Sequence, residues 1–162
     1  MEIGIGVFRE TCILGTNPIY QRSGNRPEYN SYAVDNMAVS KDNASTWMVL
    51  LMRLYKQALE LPETEPDNES SPLRIAHLPI PSISCSVDYW EVFNPLELDD
   101  PVCGSFYDDL SDIYRDLYFG IMEYDAGHIN NAIWTWKFGV DNHWGQHAVD
   151  AIWALHSIRT DY

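Results

Sequence analysis

Apolar side chains between Phe106 and Tyr124 recur at the spacing of one helix face. Successive members are 4, 3, 4, 4 and 3 residues apart, and they are Phe106, Leu110, Ile113, Leu117, Ile121 and Tyr124. Because an α-helix completes a turn in about 3.6 residues, these side chains share one side of a helix and need another element to cover them. We therefore predict a long amphipathic helix over residues 105–125 that packs against other helices.

The sequence also predicts the ends and the flank of this helix. Ser105 followed by Asp108 resembles a capping box, and Gly127 stands where a left-handed residue ends many helices. A row of acidic residues falls on one flank of the apolar stripe: Asp108, Asp109, Asp112, Asp116 and Glu123. Such a flank is either a solvated face or a surface that binds a partner.

Three more segments have helical periodicity. The first covers residues 46–61, with Asn43 or Ser45 as its N-cap and Pro62 as its stop. The others cover residues 129–143 and 144–158, and Gly145 marks either a bend or a close contact inside one continuous helix. We predict an all-α fold, a small helical bundle of about four to five helices in a single domain over residues 43–162.

The remaining segments are predicted to be irregular. Residues 1–42 form an irregular N-terminal segment, with one short strand near residues 3–7 or one short helix near residues 29–39, and residues 16–30 are predicted to be loop. Residues 62–86 hold five of the nine prolines and predict a long acidic loop, which in a compact domain is often functional. Residues 87–93 are an aromatic run that is either extended or a helical turn.

The negative charge is concentrated in the middle of the chain. The net charge is −14, and residues 62–125 account for −13 of it, with fifteen acidic residues against Arg74 and Arg115. Nucleic acids and anionic membranes attract basic proteins, so both are disfavoured as partners. A basic protein is the better electrostatic partner.

From the sequence given we expect neither a secretion signal nor a membrane span. Its first residues lack the basic and long apolar regions of a signal peptide, and no apolar run reaches the roughly eighteen residues of a membrane span. Cys12, Cys85 and Cys103 are too widely spaced for a disulfide framework or a zinc motif. We expect reduced thiols and a cytoplasmic location.

Five stretches resemble a known bacterial family. They are L-Y-K-Q-A-L-E-L-P over 54–62, Y-W-E-V-F-N-P over 89–95, D-D-L-S-D-I-Y-R-D-L over 108–117, Y-D-A-G over 124–127 and H-W-G-Q-H-A-V-D-A-I-W-A-L-H over 143–156. On these stretches the chain resembles domain of unknown function 5063, over about residues 46–158. The resemblance implies a small, cytosolic, helical protein with no established activity, and it assigns no catalytic residue.

A second pattern points to a metal ion. His143, His147 and Asp150 stand at i, i+4 and i+7, which on a helix places all three within about one third of the circumference. Two imidazoles one turn apart can share a divalent metal, and Asp112 and Asp116 of the acidic helix can complete the site. The alternative is a structural role, with His147 paired to Asp150.

These patterns support three hypotheses of function. The leading one is a non-enzymatic immunity or antitoxin-like protein that covers a basic partner such as a toxin and needs no cofactor. Acidic residues would steer that partner and aromatic residues would anchor it; they are Asp99, Asp100, Asp108, Asp109, Asp112 and Asp116, with Tyr89, Trp90 and Phe93. The alternatives are a divalent-metal-binding protein with hydrolytic activity at His143, His147 and Asp150, and a non-catalytic scaffold subunit. No nucleophile elbow or phosphate loop favours an enzyme.

Overall fold

The computed structural model of the chain describes residues 20–21, 28–29, 39–67 and 87–160. The α-helices in these ranges are α1 (Lys41–Leu59), α2 (Phe106–Asp125), α3 (Ile129–Asn142) and α4 (Trp144–Thr160). Strands β1 (Tyr20–Gln21) and β2 (Glu28–Tyr29) form one antiparallel pair, and β3 (Asp88–Glu91) and β4 (Val102–Ser105) form another. The predicted fold, a small and mostly helical bundle, is confirmed.

Helix α1 begins earlier than its apolar periodicity predicts. Its N-cap is Ser40, not Asn43 or Ser45. The side-chain Oδ1 of Asn43 accepts the backbone N–H of Ser40 at 2.9 Å, so this bond satisfies a group at the helix start. The helix therefore starts at Lys41 and not at residue 46. Its buried side chains, among them Leu51, pack mainly toward α4.

The apolar stripe of α2 lies in the core, as its spacing predicts. Its buried members are Phe106, Leu110, Ile113, Leu117 and Ile121, with Tyr124 packed against them. At the start of the helix, Ser105 is the N-cap but its side chain makes no capping hydrogen bond, so the predicted capping box is wrong. At the end, Gly127 has a φ of 89°, the left-handed conformation expected there.

Two buried tryptophans hold α3 against its neighbours. Nε1 of Trp136 donates to the carbonyl oxygen of Leu117 at 3.0 Å, and Nε1 of Trp144 donates to the carbonyl oxygen of Trp136 at 3.3 Å. A Cβ on Gly120 would lie 2.0 Å from Nε1 of Trp136. Helices α2 and α3 therefore approach closely at Gly120, because this position carries no side chain.

The helical conformation is interrupted at His143, between α3 and α4. Helix α3 ends at Asn142 and α4 begins at Trp144, so residues 129–158 are not one continuous helix. A Cβ on Gly145 would lie 1.9 Å from the backbone oxygen of Val140. The start of α4 therefore approaches the backbone of α3 closely, because this position carries no side chain. The break places His143 just before α4, and α4 then packs against each of the other three helices in the described ranges.

The β3–β4 hairpin leads directly into α2. Its strands pair Trp90 with Cys103, and the backbone N–H of Phe106 donates to the carbonyl oxygen of Val87 at 3.0 Å. The aromatic run over residues 87–93 is therefore extended in its centre, one of the two conformations that its sequence allows. The partner strand β4 has no apolar alternation and was not predicted.

Several predictions concern residues outside the described ranges. These are the short strand near residues 3–7, most of the short helix near residues 29–39, and the acidic loop beyond residue 67. The first part of that loop, residues 62–67, contains neither helix nor strand. Within residues 16–30, which were predicted to be loop, β1 and β2 form their two-residue pair.

Candidate functional site

The imidazole of His147 lies between two aspartates of α2. Its Nδ1 is 2.9 Å from Oδ1 of Asp109, and its Nε2 is 3.5 Å from Oδ2 of Asp112. The hydrogen bond to Asp109 raises the pKa of His147, and burial of the ring opposes that effect. Asp109 is only 3% exposed, so it holds the ring from within the interface of α2 and α4.

His143 has the same kind of partner. Its Nδ1 is 2.7 Å from Oδ2 of Asp116, and its ring meets that of His147 edge-on with 5.0 Å between centroids. Histidines that bind metals usually give their other ring N–H to a carboxylate, which sets the tautomer and the orientation of the ring. Because a carboxylate engages Nδ1 of both histidines, Nε2 of each is the nitrogen left for a metal.

Asp112 supplies the third potential ligand. One donor atom from each of Asp112, His143 and His147 lies within 4.8 Å of the other two. Arg115 donates to Oδ1 of Asp112, which leaves Oδ2 as the oxygen nearest His147. These three residues connect α2 with the start of α4, and they are partly exposed to solvent.

Tyr89 closes the inner side of this cluster. Its hydroxyl donates to Oδ2 of Asp109, while Oδ1 of Asp109 faces His147. Burial and the hydrogen bond to Asp109 together raise the pKa of Tyr89 far above its usual value, so the hydroxyl keeps its proton. Both oxygens of the buried Asp109 carboxylate thus have partners, as a buried charge requires.

Asp150 belongs to a neighbouring cluster. Its Oδ2 accepts a hydrogen bond from Nε2 of Gln146 at 2.8 Å, and its side chain faces Glu91 of β3. Burial is the main cause that raises the pKa of Asp150. Burial and the charge of Asp150 raise the pKa of Glu91. Asp150 is not one of the three residues that converge on a shared point, whereas His143 and His147 are.

The residues expected to bind a protein partner divide into two groups. Asp109, Asp112 and Asp116 face histidines, and Tyr89 bonds to Asp109. The others lie at the surface: Trp90 and Phe93, each 73% exposed, with Asp99, Asp100 and Asp108. Most acidic residues on the flank of α2 therefore contact histidine side chains of this chain, and the exposed set lies on the β3–β4 hairpin except for Asp108.

Sequence reasoning missed Asp109 as the partner that orients His147, and it missed Glu91 and Gln146 altogether. The spacing of Asp109, Asp112 and Asp116 along one flank of α2 is a signal that such a face exists. That spacing does not predict which residues of other elements contact this face.

Comparisons with known proteins identify a family and a fold. The sequence profile of a family described as "Domain of unknown function (DUF5063)" matches residues 62–161. No curated protein matches the chain. The crystal structure of protein BF1032 from Bacteroides fragilis is similar, with a TM-score of 0.63 and 20% identity over 96% of this chain and 92% of that one. At this identity the likeness concerns the fold.

Among the described residues, no helix has both the length and the apolar character needed to cross a membrane.

Proposed function

The chain belongs to the DUF5063 family, and we propose that it is a divalent-metal-binding protein whose metal supports hydrolysis. The observation that carries the proposal is the convergence of Asp112, His143 and His147, whose donor atoms lie within 4.8 Å of one another. Two imidazoles and one carboxylate are donors that suit zinc, manganese and iron(II).

The distance between two of the donor atoms fits a single ion. Two ligands bound at about 2.0–2.1 Å with tetrahedral geometry are roughly 3.4 Å apart. Nε2 of His147 and Oδ2 of Asp112 are 3.5 Å apart, which meets that requirement without movement. His143, the residue between α3 and α4, contributes a third donor atom within 4.8 Å of the other two.

With Asp112, His143 and His147 as its ligands, a zinc ion would keep a coordination position open for water or substrate, and it would supply an activated water by lowering the pKa of that water toward 7. The chain's own part is to hold the ligands. Asp109 and Asp116 orient the two imidazoles through Nδ1, and Arg115 holds the other oxygen of Asp112.

Metal content is the first test. Protein purified without chelators is expected to retain a stoichiometric metal, or to bind added zinc or manganese with a rise in melting temperature. His143→Ala should weaken zinc binding by at least about tenfold. His128→Ala is the matched control, because His128 is equally exposed and also pairs with a carboxylate, that of Glu123. Protein with no metal and no thermal response would refute the site.

Hydrolysis is tested separately on the metal-loaded protein. A series of p-nitrophenyl carboxylate and phosphate esters covers the two simplest classes of substrate. Turnover that disappears with a chelator, and in His143→Ala, supports a hydrolytic role. Tight metal binding without turnover of any ester would leave a metal-binding protein and remove the enzymatic part.

A second candidate function is supported by the hairpin: an immunity or antitoxin-like protein that covers a basic partner. Trp90, Phe93, Leu96 and Leu98 are exposed large apolar residues, and the loop between the strands also carries acidic side chains. Exposed aromatic residues within an acidic surface suit a basic protein with an apolar patch. Asp109, Asp112 and Asp116 face histidines. Electrostatic steering of the basic partner therefore depends on Asp99, Asp100 and Asp108.

The test of this candidate is capture with the tagged chain from the producing bacterium, at low and at high salt. A basic protein in stoichiometric amount, released by salt, is the expected result. Reversal of charge at Asp99 and Asp100 should then slow its association at low salt, since steering acts on the association rate. Unchanged kinetics would reject the candidate and favour a non-catalytic scaffold. A cytoplasmic location belongs to the same proposal and is supported by the spacing of the three cysteines, which fits no disulfide framework.

A further inference from the structure

A cavity of about 470 Å³ lies between strand β3 and the second half of α4. Its lining includes Trp90, Glu91, Asp150, Trp153, Ala154 and Ser157. None of the proposed metal ligands lines it. The cavity is thus separate from the proposed metal ligands.

Carboxylates line this cavity, and no basic residue is among the lining residues. Asp88, Glu91 and Asp150 all contribute to the walls, and no lysine or arginine does so. Asp150 is only 9% exposed, and Nε2 of Gln146 donates a hydrogen bond to its Oδ2. The imidazole of His147 acts electrostatically on Asp150 and Glu91, but Asp109 already engages it. Partly buried carboxylates close to each other repel, and a cation between them would relieve the repulsion.

Two tryptophans give the cavity a surface that suits one class of cation. Trp90 is 73% exposed and Trp153 is 63% exposed, although both line the cavity. The face of an indole ring attracts cations, and a planar guanidinium can stack on it. A guanidinium can also donate two parallel hydrogen bonds to a carboxylate. A cavity lined by both indoles and carboxylates therefore matches arginine better than a compact metal ion.

The hairpin indicates where such a cation comes from. Beyond β3 the loop exposes Phe93, Leu96 and Leu98, and its acidic residues are Glu97, Asp99 and Asp100. A free small molecule that fills the cavity would not contact this additional apolar and acidic surface. A protein partner can place one basic side chain in the cavity and cover the loop with neighbouring residues.

We propose that the cavity between β3 and α4 binds an arginine side chain of a basic protein partner, between Trp90 and Trp153 and against Glu91 and Asp150. This inference rests on the second candidate function and names the side chain that the partner inserts. It is independent of the metal site.

The experiment is a titration with a capped Gly-Leu-Arg-Leu-Gly peptide, followed by the indole N–H signals of the tryptophans in NMR spectra. The control peptide carries citrulline, the neutral isostere of arginine. The arginine peptide is expected to shift the signals of Trp90 and Trp153 saturably and to bind at least tenfold more tightly than the citrulline peptide. No shift of these two signals, or equal binding of both peptides, would overturn the proposal.

Variants separate the cavity from nonspecific attraction. Glu91→Gln and Trp153→Ala should each weaken the peptide at least fivefold, and neither change removes a buried apolar contact of the core. Glu65→Gln and Trp134→Ala are matched controls, because both residues are exposed and lie outside the cavity. Equal losses in the control variants would overturn the proposal. Choline binding more tightly than the peptide would also overturn it, in favour of a small-molecule site.

The experiments distinguish a failure of the arginine cavity from a failure of the proposed role in covering a basic partner. If a basic partner forms a stoichiometric complex whose affinity Glu91→Gln and Trp153→Ala do not alter, the cavity proposal is wrong and the covering role stands. If the arginine peptide binds as expected but no basic protein forms a complex, the cavity stands as an arginine site and the covering role is wrong.

Discussion

Nδ1 of His147 lies 2.9 Å from Oδ1 of Asp109, although 38 positions separate the two residues in the chain. The contact joins α4 to α2 and turns the other nitrogen of the ring toward Asp112. Asp109 is buried and its second oxygen accepts the hydroxyl of Tyr89, so the imidazole is held by a carboxylate that has little freedom to move. This pair sets the geometry on which the proposed metal site depends.

Replacing Asp109 should impair metal binding without removing a ligand. Asp109→Asn keeps the size of the side chain but loses the charge that fixes the imidazole tautomer. We expect zinc affinity to fall by about 10- to 100-fold, as measured by competition with a chromophoric chelator. Asp108→Asn, at the exposed neighbouring position, should leave the affinity unchanged. Equal affinities of the wild-type protein and Asp109→Asn would contradict the role of Asp109.

Metal binding should depend on pH through His147. Protons compete with metal for an imidazole, and the bond to Asp109 raises the pKa of His147 above 6.5. Zinc affinity is therefore expected to fall as the pH decreases through that raised pKa, and the fall should begin at a higher pH than for an ordinary histidine. In Asp109→Asn the fall should move to lower pH. Zinc titrations between pH 5 and pH 8 measure both curves, and identical midpoints would count against this account.

Glu91→Gln should stabilise the fold at neutral pH. Burial and the charge of Asp150 raise the pKa of Glu91 above 4.5, so the folded chain binds more protons than the unfolded chain just above that pH. Ionisation of Glu91 then costs stability as the pH rises through the raised pKa. The variant should melt at a higher temperature than the wild type at pH 7, and the difference should vanish below pH 4.5. Melting curves at the two pH values test this, with Glu65→Gln expected to change neither.

Gly120→Ala should destabilise the bundle by about 1–3 kcal/mol, because the added methyl group has no room beside Trp136. Its Cβ would lie 2.0 Å from Nε1 of that residue, which also donates to the carbonyl oxygen of Leu117. Denaturant unfolding followed by tryptophan fluorescence gives the free energy of unfolding. Thr46→Ala, at an exposed position of α1, should change it by less than about 0.5 kcal/mol. A loss no larger than that of Thr46→Ala would show that α2 and α3 can separate at this point.

The amino-acid sequence determined the local parts of this protein. Helical periodicity placed the apolar stripe of α2 and its end at Gly127, because the positions that share a helix face depend on the repeat of the helix alone. It also placed two histidines and a row of aspartates on their own segments. Helix α1 was located by the same periodicity, but its start was missed, because Ser40 caps it through a bond with Asn43 that the apolar pattern does not contain.

Only the tertiary structure decided which of these groups meet. Asp150 shares a helix with His147 but faces Glu91, whereas Asp112 and Asp116 approach the histidines from α2. That choice depends on the break at His143 and on how α4 packs against α2. Packing joins residues far apart in the chain through the shapes of whole helix faces, and no spacing within one segment carries that information.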